Sequence, residues 1–524
     1  MEFVIDPPTA TKIRKMEQRV RWHDPVIRER GIDQTRLVLD DGRQDNPEFS
    51  FLVLGDSGSG PHRGHNPQRR IAEQMLEHQE EARFILHTGD VIYLTGSSAY
   101  YPPNFIEPYR EFLVGGEQFH RIAYDRMVFK LPFLPVPGNH DYYDMPLLYG
   151  LLSQLTLPLR QALQSRVDLD VSWRGSVQGN AYARAFLDYL KALKPGASLE
   201  QHLDAHYTAK TETGRCLNYQ PGHFTRVPNR YYTFRSGGID FFALDSNTIN
   251  APVPLPDNPS GTKYRRHLEQ RRTEVDNQMQ EILITLAKLK PDDPDDAERM
   301  DDLQAKLEQL TEVNKDITKQ LASNETTETD LHQLDWLKQK LIESWQNEAV
   351  RGRVLFFHHP PYVTEATKWH QAQTLAVRYR LRQVLDNVAA AIGDGTQGRP
   401  IVDLVLCGHA HCLEYLHTVE TGHADANSNW IVCGGSGFSL RRQREEGPEV
   451  TEFFSQTGSD KERLVAKSHL FIGRSGQGSH RRRPYSFIRI DVQAGTPPKF
   501  VVRPYVAERF HRQWNDYAID PFTI

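Results

Sequence analysis

The sequence predicts an α/β protein in which mixed β-sheets pack as a sandwich flanked by helices. Three observations carry this. Short apolar runs recur from residue 49 onward, each ending in a Gly-rich polar turn; helical stretches fall between several of them; and the final strand-like region contains no helix. The runs are FSFLVLGD (49–56), ARFILHTGD (82–90), LPFLPVPGNHD (131–141), GIDFFALDS (238–246), GRVLFFHHPPY (352–362), VDLVLCGHAH (402–411) and NWIVCGGSG (429–437). Runs this short and this apolar read as buried strands whose C-terminal ends deliver polar residues into loops.

Between them, PQRRIAEQMLEHQEEA (67–82) and HQLDWLKQKLIESW (332–345) read as helices, and RPYSFIRIDVQAGTPPKFVVRPYV (483–506) reads as strands with β-branched residues. Residues 1–47 are polar and mixed, so an N-terminal arm is expected there, followed by one domain over 48–524 with two insertions. The first insertion, 142–215, reads as mostly helical. Because it starts directly after GNHD, it is expected to cap the rim of a site. The second, 263–328, spaces Val275, Met279, Ile282, Leu286 and Leu289 three to four (or seven) residues apart, and Met300, Leu303, Leu307, Leu310, Val313, Ile317 and Leu321 likewise. PDDPDD (291–296) separates the two halves, which gives an antiparallel helical hairpin with a coiled-coil-like seam. Its plain reading is a protruding decoration; the sharper one is a homo-oligomer contact or a docking arm.

Over 524 residues the formal net charge is −5, which gives no reason to expect a nucleic-acid or membrane partner. No apolar run reaches the length of a signal peptide or a membrane span, so a cytoplasmic protein is expected. The four cysteines, Cys216, Cys407, Cys412 and Cys433, are too few and scattered for a disulfide framework.

The loop GDSGSGP after the first run admits three chemistries. Ser57 as a nucleophile fits poorly, because it comes early and only His23 precedes it. A phosphate-cradling loop would need the Lys of GxxxxGK[ST], and this loop has none. Asp56 as a metal ligand gains support from the later strand ends. Four of them carry metal-suited residues: Asp90 and Tyr93; Asn139, His140 and Asp141; His358 and His359; His409 and His411. The GDxxY spacing puts Asp90 and Tyr93 on one tight turn. GHxH in extended conformation would send both imidazoles to one side.

The ordered set GDxG, GDxxY, GNH, a lone His and GHxH resembles the metallophosphoesterase (calcineurin-like) superfamily, specifically its purple acid phosphatase branch. Within that branch GDVIYLTG, CGHAHCLEYL, CGGSGFS and VPNRYYTF followed by FFALDSNT are most similar to the small, tartrate-resistant type. The resemblance covers 49–141, 227–250 and 330–437. It implies a four-layer α/β/β/α sandwich and a phosphoric-ester hydrolase, foremost a phosphomonoesterase, with a phosphodiesterase or nucleotide hydrolase as the alternative. A non-catalytic scaffold acting through the helical arm is the reading from another class.

The same resemblance implies two metal ions sharing Asp90. Asp56, Asp90, Tyr93 and His411 would hold Fe³⁺, and Asn139, His358 and His409 with Asp90 would hold a divalent Fe, Zn or Mn. The donor types agree with that split, since carboxylates and a phenolate form a hard anionic set. A metal-bound hydroxide would attack a phosphorylated small molecule or other phosphoester. His140 would act as general acid and Asp141 would orient it. His359, His370 and Arg441 are candidates for substrate contact, and His87 for packing or ligand support. Arg441, Arg442 and Arg444, and separately Arg481, Arg482 and Arg483, read as solvated loops or as sites for an acidic group.

Overall fold

A computed structural model describes residues 5–43, 46–60, 65–93, 95–144, 178–290, 294–456, 459–477 and 480–524. Each of the seven apolar runs forms a strand. In chain order the first elements are α1 (Thr9–Arg19), α2 (Pro25–Glu29), β1 (Ile32–Leu39), β2 (Phe49–Leu54), α3 (Pro67–Leu76), β3 (Ala82–His87), β4 (Phe133–Pro135) and the single turn α4 (Asn139–Tyr142). There follow α5 (Asn180–Phe186), α6 (Ala197–His206), β5 (Ala209–Thr211), β6 (Gly214–Tyr219), β7 (Tyr232–Ser236) and β8 (Ile239–Ala243). Next come α7 (Pro259–Leu286), α8 (Pro294–Ala322), α9 (Leu331–Gln346), β9 (Gly352–Phe357), α10 (Ala372–Ile392), β10 (Leu404–Cys407), β11 (Leu413–Thr418) and β12 (Asn429–Cys433). The chain closes with β13 (Glu449–Gln456), β14 (Ser459–Ile472), β15 (Arg482–Gln493), β16 (Lys499–Phe510), β17 (Gln513–Ala518) and β18 (Phe522–Thr523).

Two mixed sheets result. One runs β13-β14-β11-β12-β10-β9-β8-β7-β1-β6-β5, the other β17-β16-β15-β2-β3-β4 with β18 beside β16. Their facing side chains, Phe51, Phe84, Phe234 and Phe241 among them, form one core. α9 and α10 cover the outer face of the first sheet through Leu337, Leu341, Val377 and Leu385, while α3 lies on the second. The order helix, sheet, sheet, helix gives the four layers. β2, β3 and β4 are parallel neighbours, as are β8, β9, β10 and β12. In open α/β sheets ligands gather outside the carboxyl ends of such strands, and the metal-suited residues follow β2, β3, β4, β9 and β10.

The segment 1–47 is not an arm. β1 inserts between β7 and β6 of the larger sheet, and Met16 and Val20 of the preceding chain enter the core. Three buried polar residues of β1 masked this, each with a partner. Gln34 donates to the Val20 carbonyl, Thr35 accepts from Trp336 Nε1, and Arg36 pairs with Glu212.

Of the 142–215 insertion, residues 145–177 lie outside the described residues. The remainder is scaffold: α5 buries Tyr182 and Phe186 in the main core, and β6 is a strand of the larger sheet. The 263–328 segment does form a helical hairpin, with Val275, Ile282 and Leu310 at the seam. It does not protrude freely. α8 lies against the body of the fold, where Asp316 accepts the Ala372 and Gln373 N–H groups at the start of α10 (2.8 and 3.1 Å). Lys319 pairs with Asp6, and Arg441 Nη1 donates to the Ala305 carbonyl (3.1 Å).

Candidate metal centre

Asp56, Asp90 and His409 each stand in the first loop residues after their strands with positive φ: 53°, 53° and 66°. For non-glycine residues this left-handed conformation is strained and tends to persist only where surrounding contacts enforce it. Here the contacts are explicit. Asp56 Oδ2 accepts the His409 N–H (2.8 Å), and Asp90 Oδ1 accepts the His140 N–H (2.8 Å). Gly89, at φ +98°, has no room for a side chain: a Cβ there would sit 2.7 Å from His358 Nδ1. With His409 left-handed, GHxH is not extended as expected. Its two imidazoles reach different neighbours.

Those neighbours fall into two sets. Tyr93 Oη lies 2.8 Å from Asp56 Oδ1, 2.8 Å from Asp90 Oδ2 and 3.3 Å from His411 Nε2. His358 Nε2 lies 2.9 Å from Asn139 Oδ1, 3.2 Å from His409 Nδ1 and 3.3 Å from Asp90 Oδ2. Asp90 Oδ2 thus touches both sets. All seven residues are buried.

The donor chemistry fits cations. Tyr93 has one proton for two carboxylates, so both short oxygen–oxygen contacts are satisfied only when Asp56 keeps its own proton or a cation takes its place. His358 turns Nδ1 to the Thr88 carbonyl (2.9 Å) and His411 turns Nδ1 to the Ser439 carbonyl (3.0 Å), so both aim Nε2 at the cluster; burial depresses His411, whereas against burial the Asp90 charge holds His358 up to about 9, a proton that a cation would displace. His409 Nε2 is buried with no hydrogen-bond partner among the described residues. Without a cation the cluster is electrostatically frustrated: burial and the Asp90 charge push Asp56 up to about 8 against the pull of His358, and burial with both carboxylates holds Tyr93 well above its usual range. A bound cation reverses that pressure.

Ser57 is no nucleophile. Its hydroxyl is buried and bonded to His87 Nε2 (2.9 Å), while His87 Nδ1 accepts the Gly89 N–H (3.2 Å). His87 stays neutral, pushed down to about 3 by burial, and ties the first two loops together. His140 packs its ring against Tyr93 and Tyr143 (centroids 4.3 and 4.8 Å) at the rim of the cluster. Asp141 is fully buried and accepts from the backbone of Val91, Ile92 and Gly138, so it shapes the loops that carry Asp90 and Asn139.

Two candidates for substrate contact are corrected. His359 is fully buried, with Nδ1 on Ser246 Oγ (2.8 Å) and Nε2 on Asn250 (3.1 Å), both structural partners. His370 is exposed and stacks on Trp369 (3.9 Å), a surface contact away from the cluster. Arg441 does come to the site, and its charge helps depress His411, after burial.

Sequence reasoning missed Lys368 and Glu312. Lys368 is 1% exposed and pairs with Glu312 of α8 at 2.6 Å. The two flank the metal-suited histidines, since the Lys368 charge bears on His409 and the Glu312 charge on His411. Neither belongs to a motif; only the packing of α8 brings them there. Phe438, within CGGSGFS, stacks flat on Tyr93 (3.9 Å, 6°).

Residues 49–192 match the family model described as calcineurin-like phosphoesterase, a span that includes the Asp56, Asp90, Tyr93 and Asn139 loops. No curated protein sequence matches the chain. Among solved structures, the chain is similar to GAP50, described as the anchor in the inner membrane complex of Plasmodium, at 12% identity and TM-score 0.38, over 90% of this chain and 88% of that one. It is also similar to the purple acid phosphatase PPD1 from yellow lupin (Lupinus luteus) seeds, at 12% identity and TM-score 0.40, over 91% of this chain and 54% of that one. A structure of PhoD overlaps at 11% identity and TM-score 0.37, over 92% and 70%. Among the described residues no helix is long and apolar enough to cross a membrane. The family match is thus confined to residues 49–192, and in that part, which carries the Asp56, Asp90, Tyr93 and Asn139 loops, the chain is similar to the calcineurin-like phosphoesterases.

Proposed function

We propose that this protein is a binuclear phosphoric-ester hydrolase of the purple acid phosphatase type, acting foremost on phosphomonoesters. The observation that carries this is the pair of donor sets meeting at Asp90 Oδ2. Asp56, Asp90, Tyr93 and His411 would hold one ion, and Asp90, Asn139, His358 and His409 the other. The first set is hard and anionic and suits Fe³⁺; the second, with two imidazoles and an amide, suits divalent Fe, Zn or Mn. When bound, such a pair supplies an activated water and charge stabilisation for the phosphoryl group.

The chain's own residues do the rest. The Asp56 and Asp90 loops hold their carboxylates in place through backbone N–H donors, so the donor sets are preorganised. His140 is 7% exposed and packs its ring on Tyr93 and Tyr143, which sets an imidazole directly beside the first donor set. An imidazole there protonates the departing alcohol oxygen. Lys368 and Arg441 add positive charge beside His409 and His411, where a phosphoryl dianion needs it.

The test is turnover of 4-nitrophenyl phosphate against bis(4-nitrophenyl) phosphate by metal-loaded protein. The proposal expects the monoester to be preferred and Asp90→Asn to lower its rate at least about a thousandfold. Preference for the diester would move the assignment to a phosphodiesterase. Metal uptake without hydrolysis of either would favour a scaffold.

A further inference from the structure

Two arginine runs far apart in sequence, 441–442 and 474–483, meet in space. They meet at a cavity of about 110 Å³, several times the ~10–15 Å³ one water requires. Phe438, Ser439, Arg474, Arg483 and Tyr485 form its body-side wall, and Asp302 and Glu308 of α8 its far wall. The cavity adjoins the metal centre through two of these residues. Phe438 stacks on Tyr93, and the Ser439 carbonyl holds His411 Nδ1.

The charges around it do not balance. Arg474 and Arg483 line it, the Arg441 and Arg442 charges bear on Arg474, and Arg481 reaches the lining residue Asp302. Arg474 and Arg481 share the Asp302 carboxylate, and the Glu312 and Glu365 carboxylates feel the Arg441 charge without forming an ion pair with it. Arg441 and Arg442 are held by backbone carbonyls, of Ala305 and Gly476. Arg441 is 1% exposed, yet its Nε and Nη2 have no partner among the described residues, and Arg474 Nε is equally orphaned. Arg483, half-buried, has neither a hydrogen bond nor an ion pair from its side chain among the described residues, and it stands opposite Arg509 across the β15–β16 ladder. Directly opposed like charges destabilise a sheet, and buried guanidinium groups without anions are costly. Burial and the Arg442, Arg483 and Arg441 charges push Arg474 down to about 10. Glu308 offers little relief, because burial holds its carboxyl up to about 7 despite Arg441.

We infer that this cavity is a second anion subsite, which receives a phosphate or carboxylate on the leaving group of a substrate whose scissile phosphoryl group lies at the metal pair. The inference rests on the hydrolase reading and narrows it, to phosphoesters that carry a second anionic group. Arginine suits the task, since its fork of N–H donors matches both phosphate and carboxylate oxygens. Arg474 and Arg483, the two arginines on the cavity wall, are the groups that would engage it.

The experiment compares kcat/KM for alkanediol bisphosphates of two to six carbons with the alkyl monophosphates of the same length, and with ω-phosphoalkanoates to separate phosphate from carboxylate. At one length the bisphosphate or the phosphoalkanoate is expected to win by about tenfold or more, mainly through KM. Arg483→Gln should bring that ratio near unity, and Glu308→Gln, which removes a carboxyl from the cavity, should raise it. A general folding defect would lower both rates and leave the ratio alone. If monophosphates turn over but no doubly charged substrate gains, or if the gain survives both Arg474→Gln and Arg483→Gln, the subsite is wrong and the hydrolase stands. If metal-loaded protein hydrolyses none of the esters, the hydrolase reading fails and takes the subsite with it.

Discussion

At the scale of single residues, the site is organised by what each side chain is prevented from doing. Ser57 is bonded to His87, Asp141 to three backbone amides, and His359 to Ser246 and Asn250, so none of them can meet a substrate. His140 is the exception, with its ring at the rim between Tyr93 and Tyr143. If it protonates the leaving group, its replacement should matter only where that group is a poor one. His140→Ala is expected to lower kcat on an alkyl phosphate by about 10²–10³, and on 4-nitrophenyl phosphate, whose nitrophenolate leaves unprotonated, by much less. Steady-state rates on the two esters decide it; equal losses would make His140 a support for Asp90 rather than an acid. The seven metal-suited residues and His140 were legible because each follows an apolar run within a short motif. Lys368, Glu312 and the left-handed His409 were not. Their roles come from contacts across long sequence separation, 56 residues in the case of the Lys368–Glu312 pair.

Among elements, α8 departs furthest from the sequence reading. Its seam residues announced a hairpin, but a heptad-like spacing reports only the face turned to α7. The other face carries Asp302, Glu312, Asp316 and Lys319, which in sequence look like an ordinary solvated stripe and in the fold meet Arg474, Lys368, the start of α10 and Asp6. The Lys368–Glu312 pair tests whether this contact matters to folding. Lys368 is 1% exposed, so Glu312→Gln would leave a buried ammonium without its counter-charge. That change should destabilise the protein by about 3 kcal/mol, read as a fall in the urea midpoint at constant slope. Adding Lys368→Met should restore most of it. A midpoint shift under about 0.5 kcal/mol would mean that α8 detaches easily from the body. β1 escaped notice for the reverse reason: its strand buries the polar side chains Gln34, Thr35 and Arg36 against partners elsewhere in the fold, and apolar periodicity cannot register them.

For the molecule as a whole, the apolar runs specified seven strands and the fold class, because a buried strand writes its burial into composition. They did not specify that two sheets would meet along the carboxyl ends of β2–β4 and β8–β10, or that the 441–442 and 474–483 loops would converge beside that line. Topology does that, and it also places donors from five loops around Asp90 Oδ2 in two sets. The visible absorption spectrum of oxidised protein purified with iron available tests this arrangement most directly, because Tyr93 would be a ligand of the ferric ion. A broad violet-to-purple band, absent in Tyr93→Phe, is the predicted result. A band that survives Tyr93→Phe, or iron-loaded active protein without colour, would contradict the assignment of Tyr93 and Fe³⁺ to one site.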